Sequence, residues 1–166
     1  MPEKETLERA REDEREGKSP STQAGEFVKE EMDHIREGKH GARSTKQAIA
    51  IGLSKARRAG VKLAPPKKGT ASSATRHKAE RDLSKGRSPA KKKSARRSRA
   101  VESALQREGH SAASRSSLSR QARQSARKRG SASRKQAAKK AARTKGAAGR
   151  SQAASKAART RQRRAA

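Results

Sequence analysis

Large apolar side chains are scarce in this chain, and most of them lie in one short segment. Leu, Ile, Val, Met and Phe account for 15 of the 166 residues, and nine of these lie between Phe27 and Leu63. Highly charged chains in which Leu, Ile, Val and Phe together make up less than about 20% tend to be disordered, and here those four types number only 13. Because packed elements must bury an apolar face, the sequence predicts one small folded region in a largely disordered chain.

The apolar residues of this segment follow the periodicity of two helices. The first helix, from Ala24 onward with Thr22 as its N-cap, places its apolar side chains on one arc. The second helix opens with a capping box over residues 44–47 and ends before Gly60. With a turn of about six residues between them, the two helices form an αα-hairpin. With so few apolar side chains, the hairpin is predicted to be only marginally stable. We expect partner binding, or self-association through residues 24–60, to stabilise it.

The residues of the hairpin also resemble a known family. The pattern covers residues 24–28, 34–41 and 44–60, and its most specific part is the Lys-Gln-Ala-Ile-Ala-Ile run at 46–51. It resembles an uncharacterised family of small basic bacterial proteins that are often labelled plasmid stabilisation protein, with the match centred on residues 24–63. The resemblance implies a bacterial, intracellular, non-enzymatic protein associated with DNA. It assigns a function to no single residue.

Charge is distributed very unevenly along the chain. Residues 1–40 hold 8 basic and 12 acidic residues, a net charge of −4, whereas the rest of the chain holds 38 basic and 4 acidic residues, a net charge of +34. A helix is predicted over residues 3–16, and Leu7 is its only large apolar residue. We therefore expect a solvent-exposed, solubilising helix. The alternative is an intramolecular decoy that competes with phosphate for the basic part of the chain.

Beyond the hairpin, helix signals recur without a core. Weak helices are predicted over residues 72–84, from Ser88-Pro89 to Glu108, and over 111–129, and a direct repeat relates residues 136–145 to 152–161. Like charges one turn apart oppose these helices, so we expect a basic tail that folds from coil to helix on a polyanion. Its composition is similar to that of linker-histone tails.

The predicted fold class is all-α, with a short helical hairpin, flanking isolated helices and a long, largely disordered basic tail. The predicted segments are a mixed-charge helix and linker over 1–19, the hairpin domain over 20–63, a Pro/Ser/Lys-rich linker over 64–90, and a low-complexity tail over 91–166.

Catalytic and metal-binding motifs are missing from the sequence. It has no cysteine, no Gly-x-Ser-x-Gly motif and no phosphate-binding loop. Its four histidines are isolated in the sequence, and we interpret His34 and His40, which flank the hairpin turn, as surface residues. We therefore expect a protein that is not an enzyme and needs no metal or cofactor. The absence of a membrane span and of a signal peptide predicts a cytoplasmic location at the nucleoid.

The net charge of +30 points to nucleic acid as the partner. A dispersed polycation gains affinity by releasing counterions from phosphates, which gives binding that is largely independent of base sequence. Phe27 is the only aromatic residue, so stacking on unpaired bases is disfavoured and duplex DNA is the expected partner. Two alternatives stay open: a factor that binds structured RNA or the ribosome, and a protein-interaction hairpin with a localising basic tail. A further alternative is a hairpin that acts like a helix-turn-helix, with the cations of its second helix facing DNA.

The predicted nucleic-acid-binding residues are all basic and lie on the second hairpin helix, in the linker and along the tail. They are Arg43, Lys46, Lys55, Arg57, Arg58, Lys62, Lys67, Lys68, Lys91, Lys92, Lys93, Arg96, Arg97, Arg99, Arg120, Arg123, Arg127, Lys128, Arg129, Arg134, Lys135, Lys139, Lys140, Arg143, Arg159, Arg161, Arg163 and Arg164.

Overall fold

The structure, a computed structural model, describes residues 2–88 and 94–165. Within these ranges the chain is helical and forms no strand, which confirms the all-α class. The α-helices are α1 (Lys4–Arg15), α2 (Pro20–Arg36), α3 (Thr45–Arg58), α4 (Ser73–Arg87), α5 (Ala95–Gln106), α6 (Arg115–Lys128) and α7 (Ser131–Ala165), and a short 3-10 helix, Ser111–Ala113, lies between α5 and α6. The chain divides into two compact units, residues 1–121 and residues 122–166.

The predicted hairpin is confirmed as α2 and α3, but α2 begins earlier than expected. Its N-cap is Ser19 and Pro20 occupies the first helical turn, instead of an N-cap at Thr22. A proline at this position loses no helical hydrogen bond, and its fixed φ already suits the helix, so Ser19-Pro20 is the stronger start signal. The connection between the helices spans residues 37–44, which is longer than the predicted turn. Gly38 supplies the left-handed conformation, with φ +76°, that ends α2.

The predicted cap of α3 forms with one difference in its partners. The Ser44 hydroxyl accepts a hydrogen bond from the Gln47 amide at 3.2 Å, as a capping box requires. The Gln47 side chain, however, accepts from the Arg43 amide at 3.0 Å, one residue before the predicted partner. At the other end, Gly60 has φ +101° and closes the helix as predicted.

Helix α1 packs against α2, which corrects the prediction of a solvent-exposed helix. Thr6 and Ala10 of α1 are buried, with exposures of 0% and 5%. Across the contact, Arg9 Nε lies 2.7 Å from a Glu26 carboxylate oxygen. Leu7 also packs against the cluster that contains Phe27. A single large apolar side chain, small residues beside it and a charged pair are therefore enough to dock this helix.

The helix predicted over residues 72–84 is present as α4 and packs against α3. Ala79 and Asp82 face α3 and are buried. At Gly86 a Cβ atom would lie 2.1 Å from the carbonyl oxygen of Arg57, so only glycine permits this approach. The segment predicted as a linker thus contributes a packed helix.

The core of residues 1–121 is completed by a segment far away in sequence. Ala112 and Ala113 of the 3-10 helix are buried against Met32 and Ile35 of α2. The Thr45 hydroxyl donates to the Ala112 carbonyl at 2.7 Å. The hairpin thus packs against other segments of the same chain, and its stabilisation by a partner or by self-association stays a prediction.

A second apolar cluster is built on Ala24 and Phe27 of α2. Phe27 is fully buried and packs with Ala24, Ala56 and Val61. Leu53 and Leu63 pack against this cluster from its edge. Phe27 is thus the largest side chain of the interior, and it lies in the segment that the sequence identified as core-forming.

The prediction of a largely disordered tail is not supported, because its described residues are mostly helical. Helix α7 is interrupted at Gly146, whose φ of 64° and ψ of −178° are not helical. The described side chains of α7 include none that is buried. The helix forms because Ala, Lys and Arg favour helical backbone, without support from a core.

Two further expectations concern the start of α5 and the membrane. The predicted start at Ser88-Pro89 adjoins residues 89–93, which lie outside the described residues; the described helix begins at Ala95, with Ser94 as its N-cap. Among the described helices, none has the length and apolarity that a bilayer crossing requires.

Two glycines in the hairpin predict opposite effects of the same substitution. A Cβ at Gly52 would lie 2.7 Å from the Val28 Cα atom, so Gly52→Ala must push α3 away from α2. Overpacking of this kind costs about 1–3 kcal/mol, which exceeds the gain of about 1 kcal/mol in helix propensity. Nothing lies within 4 Å of the corresponding atom at Gly25, so Gly25→Ala is expected to stabilise the protein. Urea unfolding midpoints that shift in the same direction would contradict this packing.

Candidate nucleic-acid interface

Among the described residues, the predicted cations fall into an exposed group and a group engaged within the fold. On α5, Arg96, Arg97 and Arg99 are exposed, and none of the residues of this helix is buried. Near the start of α3, Arg43 is 80% exposed, and its nearest carboxylate is Glu108 at 3.9 Å. These side chains can reach a phosphate backbone without breaking a contact of the core.

Helix α6 separates its apolar and basic residues. Leu118 packs against the core cluster that contains Met32. Arg120, Arg123 and Arg127 recur at positions i, i+3 and i+7, which places them on one face of the helix, away from Leu118. All three are exposed. A row of guanidinium groups at helical spacing can contact successive phosphates.

Helix α7 presents cations in every direction around its axis. Its sequence contains 12 Lys and Arg residues and no Asp or Glu. Among the predicted residues with described side chains, the exposed ones in this helix are Arg134, Lys135, Lys139, Lys140, Arg143, Arg159, Arg161 and Arg163; the side chain of Arg164 is outside the description. Because the cations surround the helix, it can contact the phosphates of a polyanion in any orientation about its axis.

Three predicted cations of α3 are engaged within the fold. Lys55 Nζ lies 2.7 Å from Glu31, and Arg58 Nε lies 2.8 Å from the buried Asp82. Arg57 is itself buried, and its Nε donates to the Leu63 carbonyl at 3.1 Å. Burial lowers the pKa of the Arg57 guanidinium, since desolvation disfavours its charged form.

The contacts of the α3 cations weigh against the helix-turn-helix-like alternative. A recognition helix needs free side chains along the face that enters the groove. On α3, Lys46 is exposed, but the three cations at its C-terminal end hold this helix to α2, to α4 and to the chain that follows it. The basic face that this alternative requires is therefore used inside the fold.

The remaining predicted cations lie between α3 and α5 or at the end of α6. Lys67 and Lys68 are exposed, and Lys62 lies 3.6 Å from Glu14 of α1. Lys128 and Arg129 are exposed at the end of α6. Lys91, Lys92 and Lys93 lie outside the described residues.

The acidic residues near the N-terminus have local partners. In α1, Arg9 lies 3.6 Å from Glu5, and Arg15 is ion-paired with Glu12. The pKa of Lys18 is raised, first by its bond with Asp13 and then by Glu16. The decoy hypothesis needs unpaired carboxylates on this helix, so these pairs weaken it.

Sequence reasoning treated the histidines as isolated, but the fold brings two of them together. The rings of His34 and His40 have centroids 6.0 Å apart and are nearly perpendicular. His34 Nε2 lies 2.8 Å from a Glu3 carboxylate oxygen, and this hydrogen bond, followed by one from Lys39, lowers the pKa of Glu3. This contact could not be predicted from local sequence, because Glu3 and His34 meet only when the N-terminal segment packs against α2.

Comparison with known proteins identifies the hairpin region alone. Residues 17–68 match the sequence profile of a family described as a family of unknown function, DUF6496. This stretch contains α2 and α3, and it is the part of the chain for which the sequence suggested a family. The family description carries neither the plasmid-stabilisation label nor a likeness to linker histones. No curated protein and no solved structure matches the chain.

Proposed function

We propose that this protein binds duplex DNA without sequence preference, by neutralising phosphates with its exposed Lys and Arg residues. One observation carries the proposal: residues 109–166 contain 18 basic residues and no acidic residue, on helices whose described basic side chains are exposed. Contacts of this kind release condensed counterions from DNA, and that release supplies most of the affinity of a sequence-independent binder.

The environment of the single aromatic ring supports a double-stranded partner. Proteins that hold single strands stack the bases on exposed aromatic side chains. Phe27 is fully buried, and the sequence contains no Tyr or Trp. A chain without an exposed Phe, Tyr or Trp ring can hold the outside of a duplex, but it gains little from stacking on unpaired bases.

The engaged cations of α3 support binding without base recognition. Reading base edges requires a helix fixed in the major groove with free side chains. Arg57 is buried and Arg58 is bound to Asp82, so neither extends toward a groove. The exposed cations of α5, α6 and α7 are suited to phosphates, which look alike at every step of the duplex.

DNA would also stabilise the helices of the tail. Lys135–Lys139 and Lys139–Arg143 are like-charged pairs one turn apart, and each pair disfavours the helix by a few tenths of a kcal/mol. Phosphates lying between these side chains remove that penalty. Helix formation and DNA binding are then coupled, so bound DNA is expected to raise the temperature at which these helices melt.

In the cell this activity would place the protein on the bacterial nucleoid or on a plasmid, as a non-enzymatic cytoplasmic component. The resemblance of residues 24–63 to proteins labelled plasmid stabilisation supports that setting. Structured RNA is the alternative partner, because an A-form helix offers the same phosphate charge.

Competition between nucleic acids tests the proposal. The full chain is bound to a fluorescent duplex DNA at about 0.1 M salt, and unlabelled duplexes of scrambled sequence, a folded RNA and a single strand are added separately. We expect scrambled duplexes to compete equally and the single strand to compete more weakly, since ssDNA releases fewer counterions, with a slope of about −0.7 instead of about −0.9 per contact. A folded RNA that competes better than every duplex would overturn the assignment to DNA.

A further inference from the structure

Three ligating side chains meet where α2 ends. Glu31 and His34 are three residues apart on α2, a spacing that places both on one face of the helix, and His40 follows in the loop over residues 37–44. One ligand atom from each of the three lies within 4.8 Å of the others. We propose that Glu31, His34 and His40 bind a divalent transition-metal ion, and that Zn²⁺ suits this set of two imidazoles and one carboxylate.

The carboxylate of Glu31 is the observation that points to a ligand. Its side chain is 0% exposed, and neither of its oxygens has a hydrogen-bond donor in the described structure. Lys55 Nζ lies 2.7 Å from Oε2, outside hydrogen-bonding geometry, and His40 Nε2 lies 3.5 Å from Oε1. Buried carboxylates are normally hydrogen-bonded, paired or bound to a metal. Oε2 of Glu31 is paired with Lys55, whereas Oε1 has no hydrogen-bond donor and faces His40, so Oε1 is available for coordination.

Both histidines are held in orientations that suit a metal ligand. His34 Nε2 lies 2.8 Å from Glu3, and a proton on that nitrogen leaves Nδ1 with a free lone pair. His40 Nδ1 lies 3.1 Å from the Gly41 carbonyl, and donation to it leaves Nε2 free. A ligating histidine usually donates its other N–H to a carboxylate or a backbone carbonyl, and each of these residues has one of the two.

The distances are close to those of a coordinated ion. Two ligands on a tetrahedral zinc at about 2.0–2.1 Å are about 3.4 Å apart, which compares with the 3.5 Å between His40 and Glu31. The His34 and His40 side chains are 13% and 16% exposed, so an ion can enter from solvent. The three ligand atoms lie within 4.8 Å of one another, so binding requires the side chains to move closer around the ion, with water as the fourth ligand.

Charge also favours a cation at this point. Glu30 and Glu31 are both buried, and they share one ammonium group, since Lys55 Nζ is 3.4 Å from Glu30 and 2.7 Å from Glu31. Among the described ion pairs, Lys55 is the only Lys or Arg that faces these two carboxylates, and a neutral His40 adds no positive charge. An ion at Glu31 would leave Lys55 to Glu30, and each carboxylate would then have its own cation.

A metal here would fasten the hairpin turn to α2, next to the place where a distant segment packs on the turn. The residues directly after His40 are bonded to that segment: the Gly41 amide donates to the Leu105 carbonyl at 2.9 Å, and the Ala42 amide donates to the Gly109 carbonyl at 3.1 Å. Because the ion binds only the folded arrangement, its binding raises the unfolding temperature of the protein.

The test is a Zn²⁺ titration of the full chain, without an affinity tag, against a chromophoric chelator. We expect one ion per chain, a higher unfolding temperature with Zn²⁺, and tetrahedral visible absorption when Co²⁺ is used instead. His34→Ala and His40→Ala should each weaken binding by more than about 100-fold, since the loss of an outer-shell partner alone costs about 10–100-fold. His77→Ala is the matched control, because His77 is 79% exposed and lies outside the cluster, and it should bind as the parent does.

A gain of affinity separates ligand loss from misfolding. Lys55→Met removes the cation that competes for Glu31, so it is expected to tighten Zn²⁺ binding, which a damaged fold cannot do. Equal zinc affinity in the His40→Ala and His77→Ala proteins would overturn the proposal. So would weaker binding by the Lys55→Met protein.

Discussion

Replacing the basic residues of α7 by glutamine is expected to weaken duplex DNA binding by about 10³-fold at about 0.1 M salt, on the basis that about four of some eight phosphate contacts come from this helix. Each contact contributes a factor of about 8 at that salt, relative to about 1 M. Helix α7 contains 12 Lys and Arg residues and no Asp or Glu, so none of its positive charge is neutralised within the helix. The substituted residues are Arg134, Lys135, Lys139, Lys140, Arg143, Lys145, Arg150, Lys156, Arg159, Arg161, Arg163 and Arg164. Fluorescence anisotropy with a labelled duplex measures the loss.

The control for this variant keeps the charge and changes its chemistry. Arg→Lys at every arginine of α7 retains each positive charge, so it should bind DNA within a few-fold of the parent. Glutamine and lysine have similar helix propensities, so a loss seen only with glutamine reports charge and not helicity. Unchanged affinity of the glutamine variant would show that α7 takes no part in binding.

Phe27→Ala is expected to destabilise the unit formed by residues 1–121 by about 3–5 kcal/mol, as for other buried aromatic residues. Phe27 is fully buried, with an exposure of 0%. The buried residues that pack with it, Ala24, Ala56 and Val61, are small, so its removal leaves a cavity in the cluster. A loss of this size is a large part of the 5–15 kcal/mol that ordinary domains have. Urea unfolding followed by circular dichroism gives the value.

The matched control for Phe27→Ala removes an apolar side chain from the surface. Val101 on α5 is 61% exposed, and Val101→Ala should change stability by less than about 0.5 kcal/mol. Similar losses in the two variants would contradict the described core, since they would mean that burial does not distinguish the two positions.

The hairpin could be predicted because its signals are local. Ser44 caps the amide of Gln47 as the sequence indicated, and Gly60 adopts the left-handed conformation at the end of α3. The segment from Phe27 to Leu63, which holds most of the large apolar residues, provides the largest buried side chains. Cap chemistry and helical periodicity depend on residues a few positions apart, so a single sequence reveals them.

The packing of α1 and of residues 105–113 could not be predicted, because most of the buried side chains that these segments contribute are small. Ala10, Ala112 and Ala113 are buried, but alanine is also abundant in the exposed helix α7. Nothing local distinguishes an alanine that faces Ile35 from one that faces water. Contacts across such a distance along the chain depend on the fold as a whole, and composition alone suggested a disordered remainder.

The candidate sites show the same division between local and long-range information. The exposure of the tail arginines follows from composition, whereas the internal use of Arg57 and Arg58 depends on where Leu63 and Asp82 come to lie. The meeting of His34 and His40 depends on the path of the loop between α2 and α3. Sequence reasoning therefore identifies the kind of partner better than the residues that are free to contact it.

The salt dependence of DNA binding by the full chain tests phosphate neutralisation most directly. With about eight phosphates contacted, the logarithm of the association constant is expected to fall against the logarithm of salt concentration with a slope near −7, and with a slope about 3–4 units shallower once the cations of α7 are replaced by glutamine. A slope near zero, with affinity retained at about 1 M salt, would contradict the account.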